Sequence, residues 1–396
     1  MPGSLISQGR SKVRSGDGRI HLLALTIFIV MVGVGIIAPI LPLYADSLGA
    51  TGFWIGFIYA GFAISRTIFM PIIGRLSDQR GRKLFITLGL LLYGFISLGY
   101  VYSRNVYELA GVRLISGFGS AMVTPIAFAY AAEVAPMDGE GRVFGEMGMA
   151  LAVGIGIGVL IGGLLSDHFG MAVPFYTLGV LSTFTLILVL WRLPNQRSEI
   201  QSDVSRGSNL RKILRYDLVK GVCVFRFVSA FSIGAIMSFI PIYAAGLEIT
   251  PAGIGILLSV NIVLAGLFQP FFGSFADRRN RVQLVFWGNI IFSVALLLVP
   301  YAGSFRSLLI LNFIMGTGGA IALPASLTML TDIGREEGMG SILGVYNSAM
   351  SLGMATGPIV AGVVMDMIGV SQIFTLSAVI SIIGSLYFLG RATCAK

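Results

Sequence analysis

The stretch GRLSDQRGRK, residues 74–83, sets four cationic side chains and one Asp between two apolar runs. Its pattern returns as GSFADRRNR at 273–281, pairing Gly74 with Gly273, Asp78 with Asp277 and Arg82 with Arg281 at a spacing of 199 residues. The same spacing holds without a gap from Pro42 and Pro241 onward. It pairs Pro71 with Pro270, Gly117 with Gly316, Pro125 with Pro324 and Glu133 with Asp332, and then Gly145, Gly154 and Gly158 with Gly344, Gly353 and Gly357. It ends with Asp167 and Asp366, then Gly170 and Gly369. Chance likeness between apolar segments matches Leu with Ile; it does not align Gly, Pro and Asp at one offset. The chain therefore reads as two copies of one unit.

Each unit is apolar. Of 396 residues, 56% are hydrophobic and 11% charged, with mean hydropathy +0.89, against about 25% charged in soluble domains. Apolar runs of roughly 18 or more residues are long enough to cross a bilayer as helices. Twelve lie at about 20–44, 52–74, 84–103, 106–131, 142–165, 171–193, 218–245, 252–275, 282–301, 305–330, 340–365 and 370–390. They lack the period-2 alternation of barrel strands, the other structure that satisfies its backbone in lipid. The expected fold class is an all-α membrane protein, twelve transmembrane helices arranged as two parallel six-helix pseudo-repeats. Its expected divisions are an N-terminal tail (1–19), a six-helix bundle (20–193), a polar linker (194–217), a second bundle (218–390) and a C-terminal tail (391–396). The first apolar run is too long for a signal-peptide core and lacks a small-residue cleavage site, so it stays as helix 1.

The net charge of +9 is a topology signal, not a nucleic-acid footprint. Arg66, Arg113 and Arg226 fall within spans, and Arg104 and Arg306 fall in loops on one side. The other Lys and Arg fall on the side that carries both termini. The positive-inside rule makes that side cytoplasmic, in an integral protein of a bacterial inner membrane. Catalytic constellations are missing: the sequence has no Walker loop, no H-E-x-x-H and no Cys cluster. Two cysteines, Cys223 and Cys394, make no disulfide framework. Neither an enzyme nor a cofactor or metal is expected. The parallel repeat places a substrate at the interface of the halves.

Twelve helices, a six-plus-six repeat and GRLSDQRGRK after helix 2 together resemble the major facilitator superfamily. Gly74, Leu76, Asp78, Gly81, Arg82 and Lys83 match its G-x-L-x-D-x-x-G-R-K signature; Asn280 stands at the second glycine of the repeated copy. Gly33 followed by Pro39-Ile40-Leu41-Pro42 is similar to the helix-1 motif of drug/proton antiporters, and Arg113 to Ala121 is similar to their R-x-x-x-G-x-G-x-A motif. Gly145, Gly154, Gly158, Gly162 and Gly163 in helix 5 resemble the antiporter motif, with Val159 at its proline position. Helix 11 carries the spacing with the proline, Gly357-Pro358. The resemblance implies a monomeric secondary transporter that exports amphipathic small molecules by rocker-switch alternating access coupled to proton influx, with small-molecule substrate, protons and lipids as partners.

Asp78 and Arg82, four residues apart, can exchange a salt bridge with Glu133 at the end of helix 4, and Asp277, Arg281 and Asp332 repeat the trio. The resemblance implies that such trios latch the outward-facing state. Gly154, Gly158 and Gly162, with Gly353, Gly357 and Pro358 in helix 11, read either as static packing or as a seam on which the halves rock. Intramembrane arginines each cost about 2.5–3.5 kcal/mol near a span centre and so face a cavity or partner. Arg66, Arg113 and Arg226 are therefore candidate substrate contacts, with Asn261, Gln269, Asn312 and Asn347. Phe225, Phe227, Phe231 and Phe239 suit an apolar pocket. No Asp or Glu lies near the middle of a span; Asp46, Glu108 and Glu146 at span ends are the candidates for proton coupling. Arginines without a central carboxylate leave a second cargo open, an anionic or lipid-like amphiphile moved without protons.

Overall fold

In the computed structural model of the chain, the described residues are 4–135, 140–194, 210–276, 279–331, 333–334 and 338–394. Asp277, Asp332 and most of the expected linker (195–209) lie outside them. The described residues form helices and loops, with no strand among them. Among the described residues, twelve helices are long and apolar enough to span a membrane. They are α1 (Gly18–Ser47), α2 (Gly52–Arg80), α3 (Arg82–Tyr102), α4 (Val106–Val134), α5 (Arg142–Phe169) and α6 (Val173–Arg192) in the first half. The second half has α7 (Asp217–Gly246), α8 (Pro251–Gln269), α9 (Arg281–Tyr301), α10 (Phe305–Thr328), α11 (Ser341–Ile368) and α12 (Val370–Thr393). Aromatic side chains near span ends, Tyr102, Tyr107, Trp191 and Tyr301, are strongly exposed, as expected of residues anchored at a membrane–water interface.

Local chemistry explains the breaks. Pro39 and Pro42 carry no N–H, so the backbone at 38–40 cannot continue the helical ladder of α1. The chain tightens instead, Ala38 N–H donating to Gly35 O at 3.0 Å, and restarts as the short helix Leu41–Ser47. Pro42 leaves the Ala38 carbonyl without its helical donor, and the Tyr59 hydroxyl of α2 donates to it. A carbonyl orphaned in lipid is thereby satisfied from the neighbouring helix. Between α2 and α3, Gly81 has φ +96° and donates its N–H to Ser77 O at 3.0 Å. Only glycine takes that conformation without strain, which accounts for the second glycine of the signature.

The 199-residue repeat is visible in three dimensions. Gly170 (φ +90°) ends α5 as Gly369 (φ +97°) ends α11. Gly49 and Glu248, equivalent positions before α2 and α8, both take positive φ. Asn105 caps α4, accepting from Glu108 N at 2.9 Å, and its counterpart Ser304 caps α10, accepting from Ser307 N at 3.3 Å. The copies differ after α8: Asn280 replaces the turn glycine and caps α9 with its side chain, accepting from Val282 N at 3.1 Å.

The glycine faces of α5 and α11 lie elsewhere than the rocking-seam expectation puts them. A methyl group added at Gly154 would stand 2.7 Å from the Phe28 carbonyl, and Gly158 and Gly162 lie against the carbonyls of Val32 and Ile36. These partners are on α1, in the same half. Equivalently, Gly353 and Gly357 lie against Phe227 and Phe231 of α7. Both faces are packing surfaces inside a half, built on backbone-to-backbone approach. Gly145 would place a methyl in open space and belongs to neither. Pro358 instead sits where α11 meets both α7, at Gly234, and α2, at Gly56.

Gly162→Ala should therefore force α1 and α5 apart and lower the melting temperature in detergent, by an amount equivalent to about 1–3 kcal/mol. Gly145→Ala should leave it unchanged or raise it, since the open position gains helix propensity of up to about 1 kcal/mol. Parallel thermal-shift measurements on the two variants check the contrast.

Candidate functional site

The halves meet along two repeat-equivalent seams, α2 with α11 and α5 with α8. Gly52, the first residue of α2, lies against Gly362, Met365 and Asp366 near the end of α11. Gly163, near the end of α5, lies against Pro251 and Gly255 at the start of α8. Asp366 accepts from the Gly52 and Phe53 N–H groups at 2.6 and 2.8 Å, and Ser259 of α8 donates to Gly156 O of α5 at 2.8 Å. The tightest of these contacts cluster at the face opposite the chain termini, the distal face. At the other ends of the same helices, methyl groups added at Gly74, Gly145 or Gly344 would meet nothing within 4 Å. The bundle is closed distally and splayed toward the face that carries the termini.

On that splayed face stands the charged trio. Arg82 is only 9% exposed. Its guanidinium meets Asp78 at 2.5 Å, donates to Glu133 Oε1 through Nε and Nη2 at 3.0 and 2.9 Å, and donates to Ser77 Oγ at 2.7 Å. The planar fork lets one side chain tie the end of α2, the start of α3 and the end of α4 together. All three partners belong to the first half. Of the second trio only Arg281 is described; its Nη1 donates to Thr328 O at 3.3 Å.

Arg113 of α4 is 8% exposed and deep in the first half. Its guanidinium lies 4.6 Å from the Phe62 ring centre and 5.4 Å from that of Tyr59. Nη1 reaches the Tyr100 hydroxyl at 3.4 Å, while Nε is buried without a hydrogen bond. Two ring faces contribute about 0.5–2 kcal/mol each, comparable to the cost of placing the charge there. Arg66 lies about two turns along α2 from Tyr59, half-buried, and Tyr93 of α3 is within electrostatic reach of both arginines. Among the described residues, no hydrogen bond or ion pair engages Arg66. Arg226 of α7 contacts Met350 Sδ at 2.6 Å and the Tyr346 ring at 5.1 Å, so it joins α7 to α11 within the second half.

The uncharged candidates divide. Asn312 is fully buried, donating to Leu308 O at 2.9 Å, and Asn261 donates to Asn312 O at 3.3 Å. In this structure the two side chains join α8 to α10. Gln269 and Asn347 are exposed on the parts of α8 and α11 nearer the termini. Phe225, Phe231 and Phe239 are at most 4% exposed and pack in the core. Among the acids, Glu108 is a cap: its carboxylate accepts from Arg104 N at 2.8 Å and from Asn105 Nδ2 at 2.8 Å. Asp46 is exposed beside the distal loop, and Glu146 lies 3.6 Å from His21 Nε2. Asp366 and the aromatic surround of Arg113 (Tyr59, Phe62 and Tyr100) are missed from the sequence. Only the pairing of Asp366 with Asp167 in the repeat marked that acid.

A family model described as Major Facilitator Superfamily matches residues 23–225 and 222–393. An uncharacterized MFS-type transporter of Methanocaldococcus jannaschii is 30% identical over 378 residues, 93% of this chain and 96% of the relative. The quinolone resistance protein NorA of Staphylococcus aureus is 26% identical over 351 residues, 88% of this chain and 90% of NorA. The crystal structure of the nucleoside transporter NupG superposes with a TM-score of 0.79 at 16% identity, covering 94% of this chain and 98% of that one.

Removing the fork should cost more than weakening it. Arg82→Ala strands Glu133, whose side chain is 13% exposed, and should destabilise the fold by roughly 3 kcal/mol. Arg82→Lys keeps the charge and should lose less than half as much. Chemical-denaturation midpoints of the purified variants give the order.

Proposed function

The chain belongs to the major facilitator superfamily, and we propose that it is a secondary active transporter exporting amphipathic small molecules by alternating access, driven by proton entry. The observation that carries the reading is the unequal contact between the halves, tight at the distal face and splayed at the face of the termini. Two rigid six-helix units joined in this way have an evident second arrangement, with the seam reversed. The excess of Lys and Arg on the terminal side supports a cytoplasmic placement of that face, in a bacterial inner membrane. The state described is then inward-open.

In this state the Asp78–Arg82–Glu133 trio closes on itself within the first half. We assign it, with the Gly74 and Gly81 turn, to the cytoplasmic latch of the opposite state, and Asp277, Arg281 and Asp332 to its repeat. Export, in preference to uptake, is supported by the glycine motif of α5 and by likeness to a quinolone resistance protein. Arg66, Arg113, Gln269 and Asn347 are the proposed substrate contacts. Glu146, paired with His21 on the cytoplasmic side, is the proposed proton-handling acid. The transporter works as a monomer among membrane lipids.

One observation favours a second cargo. Neither Arg66 nor Arg113 has a carboxylate partner among the described residues, so an anionic group on an amphiphile would be held by either without displacing a protein acid.

Proteoliposomes with a preset pH gradient and an internal pH reporter test both. Cationic or neutral amphiphiles should dissipate the gradient; dissipation by anionic compounds alone, or transport without proton movement, would replace the first reading with the second. Arg113→Ala should abolish transport while the protein still elutes as a monodisperse peak, and near-normal flux in that variant would remove Arg113 from the site.

A further inference from the structure

We propose that Asp366 is a positioning residue for the transport cycle, holding the distal seam shut by capping the first turn of α2 from the opposite half. The proposal rests on the alternating-access reading above and adds to it a named contact on the distal side. The first turn of any helix leaves N–H groups without helical acceptors. The residue before α2, Thr51, makes no side-chain capping bond. The acceptor comes instead from α11: Oδ1 of Asp366 takes the Gly52 N–H at 2.6 Å and Oδ2 takes the Phe53 N–H at 2.8 Å. Both carboxylate oxygens are used, and the negative charge sits at the positive end of the α2 dipole. The glycine pair Gly52 and Gly362 lets the helices approach this closely; a methyl at Gly52 would stand 2.5 Å from the Gly362 carbonyl and 2.8 Å from Met365 Cβ.

The repeat supplies an internal control. Asp167 of α5 is the counterpart of Asp366, and Pro251 at the start of α8 is the counterpart of Gly52. Proline has no N–H to give. Asp167 is exposed, and among the described residues it makes no hydrogen bond or ion pair. The two seams therefore share their close backbone packing; the α5–α8 seam adds the Ser259 hydrogen bond to Gly156 O, and the α2–α11 seam alone has the carboxylate cap. An ordinary cap stabilises its helix in every conformation. This one has donor and acceptor on separate halves, so it exists only while the distal face is closed and contributes its full free energy to that state alone. When the face opens, Asp366 and the α2 N-terminus pass to water.

The test is pulsed electron–electron resonance in nanodiscs, with spin labels at Arg104→Cys and Tyr301→Cys. These are exposed positions on the distal side of the first and second halves, placed in a Cys223→Ser, Cys394→Ser background. Asp366→Asn should raise the ratio of long to short distances about five- to tenfold, the size expected of a charged cap. Phe53→Pro deletes one donor from the other partner, at a first-turn position where proline is tolerated, and should shift the ratio in the same direction with Asp366 intact. Asp167→Asn should leave it within twofold. A fall in melting temperature with an unchanged ratio would mark Asp366 as a static helix cap and overturn the proposal, as would an equal shift from Asp167→Asn. Two populations in the wild type that neither Asp366→Asn nor Phe53→Pro redistributes would sink the latch alone. A single population in every variant would sink the latch and the alternating-access reading together.

Discussion

A backbone carbonyl or N–H inside a bilayer has no water to turn to, and that constraint organises this molecule. It dictates helices in the first place. It also dictates what happens where a helix cannot continue. Pro42 strips the Ala38 carbonyl of its donor, and a tyrosine from α2 replaces it. The first turn of α2 has no cap of its own, and an aspartate from α11 supplies one. Each repair ties two elements together, so a local deficit becomes a tertiary contact. The second such contact crosses between halves, and there the repair becomes sensitive to conformation.

Charge is handled by two opposite devices. At the face of the termini Arg82 is surrounded by Asp78, Glu133 and Ser77, a saturated network whose members come from three consecutive helices of one half. Deeper in the same half Arg113 has aromatic faces and a tyrosine hydroxyl and no acid. Saturation favours rigidity: the trio moves as one piece with its half. Incomplete satisfaction leaves capacity for a ligand, which is why the arginines of α2 and α4 carry the substrate proposal and those of the loops do not. Arg226, held by Met350 and Tyr346 inside the second half, stands between these cases.

Duplication has left backbone features more faithfully preserved than side-chain chemistry. The turn glycines, the positive-φ pair before α2 and α8 and the glycine-to-carbonyl contacts recur at the same spacing. Side-chain chemistry departs from symmetry at several of these positions. Asn280 stands for Gly81, and Pro251 stands for Gly52. The second exchange removes a donor, so the α5–α8 seam is packed and joined by the Ser259 hydrogen bond, whereas the α2–α11 seam is packed and held by a carboxylate.

The sequence by itself determined the class of fold, the twelve spans and the duplication, because each follows from composition, from the length of apolar runs or from Gly, Pro and Asp recurring at one spacing. The signature at 74–83 placed Asp78 and Arg82 four residues apart, at the end of one helix and before the start of the next, and the acid at the end of α4 was legible as their partner. Tertiary structure alone decided who faces whom. A stripe of small residues announces a close approach without naming the neighbour, so Gly154, Gly158 and Gly162 read either as static packing or as a seam between halves, and they seat α1 within the first half. Glu108 stood among the proton-coupling candidates as an acid at a span end and caps the start of α4, a role that its spacing three residues after Asn105 would have suggested. The aromatic faces around Arg113 and the Asp366 cap join residues up to some three hundred positions apart. No local pattern records such contacts; they exist only because packed helices bring those atoms to the same place.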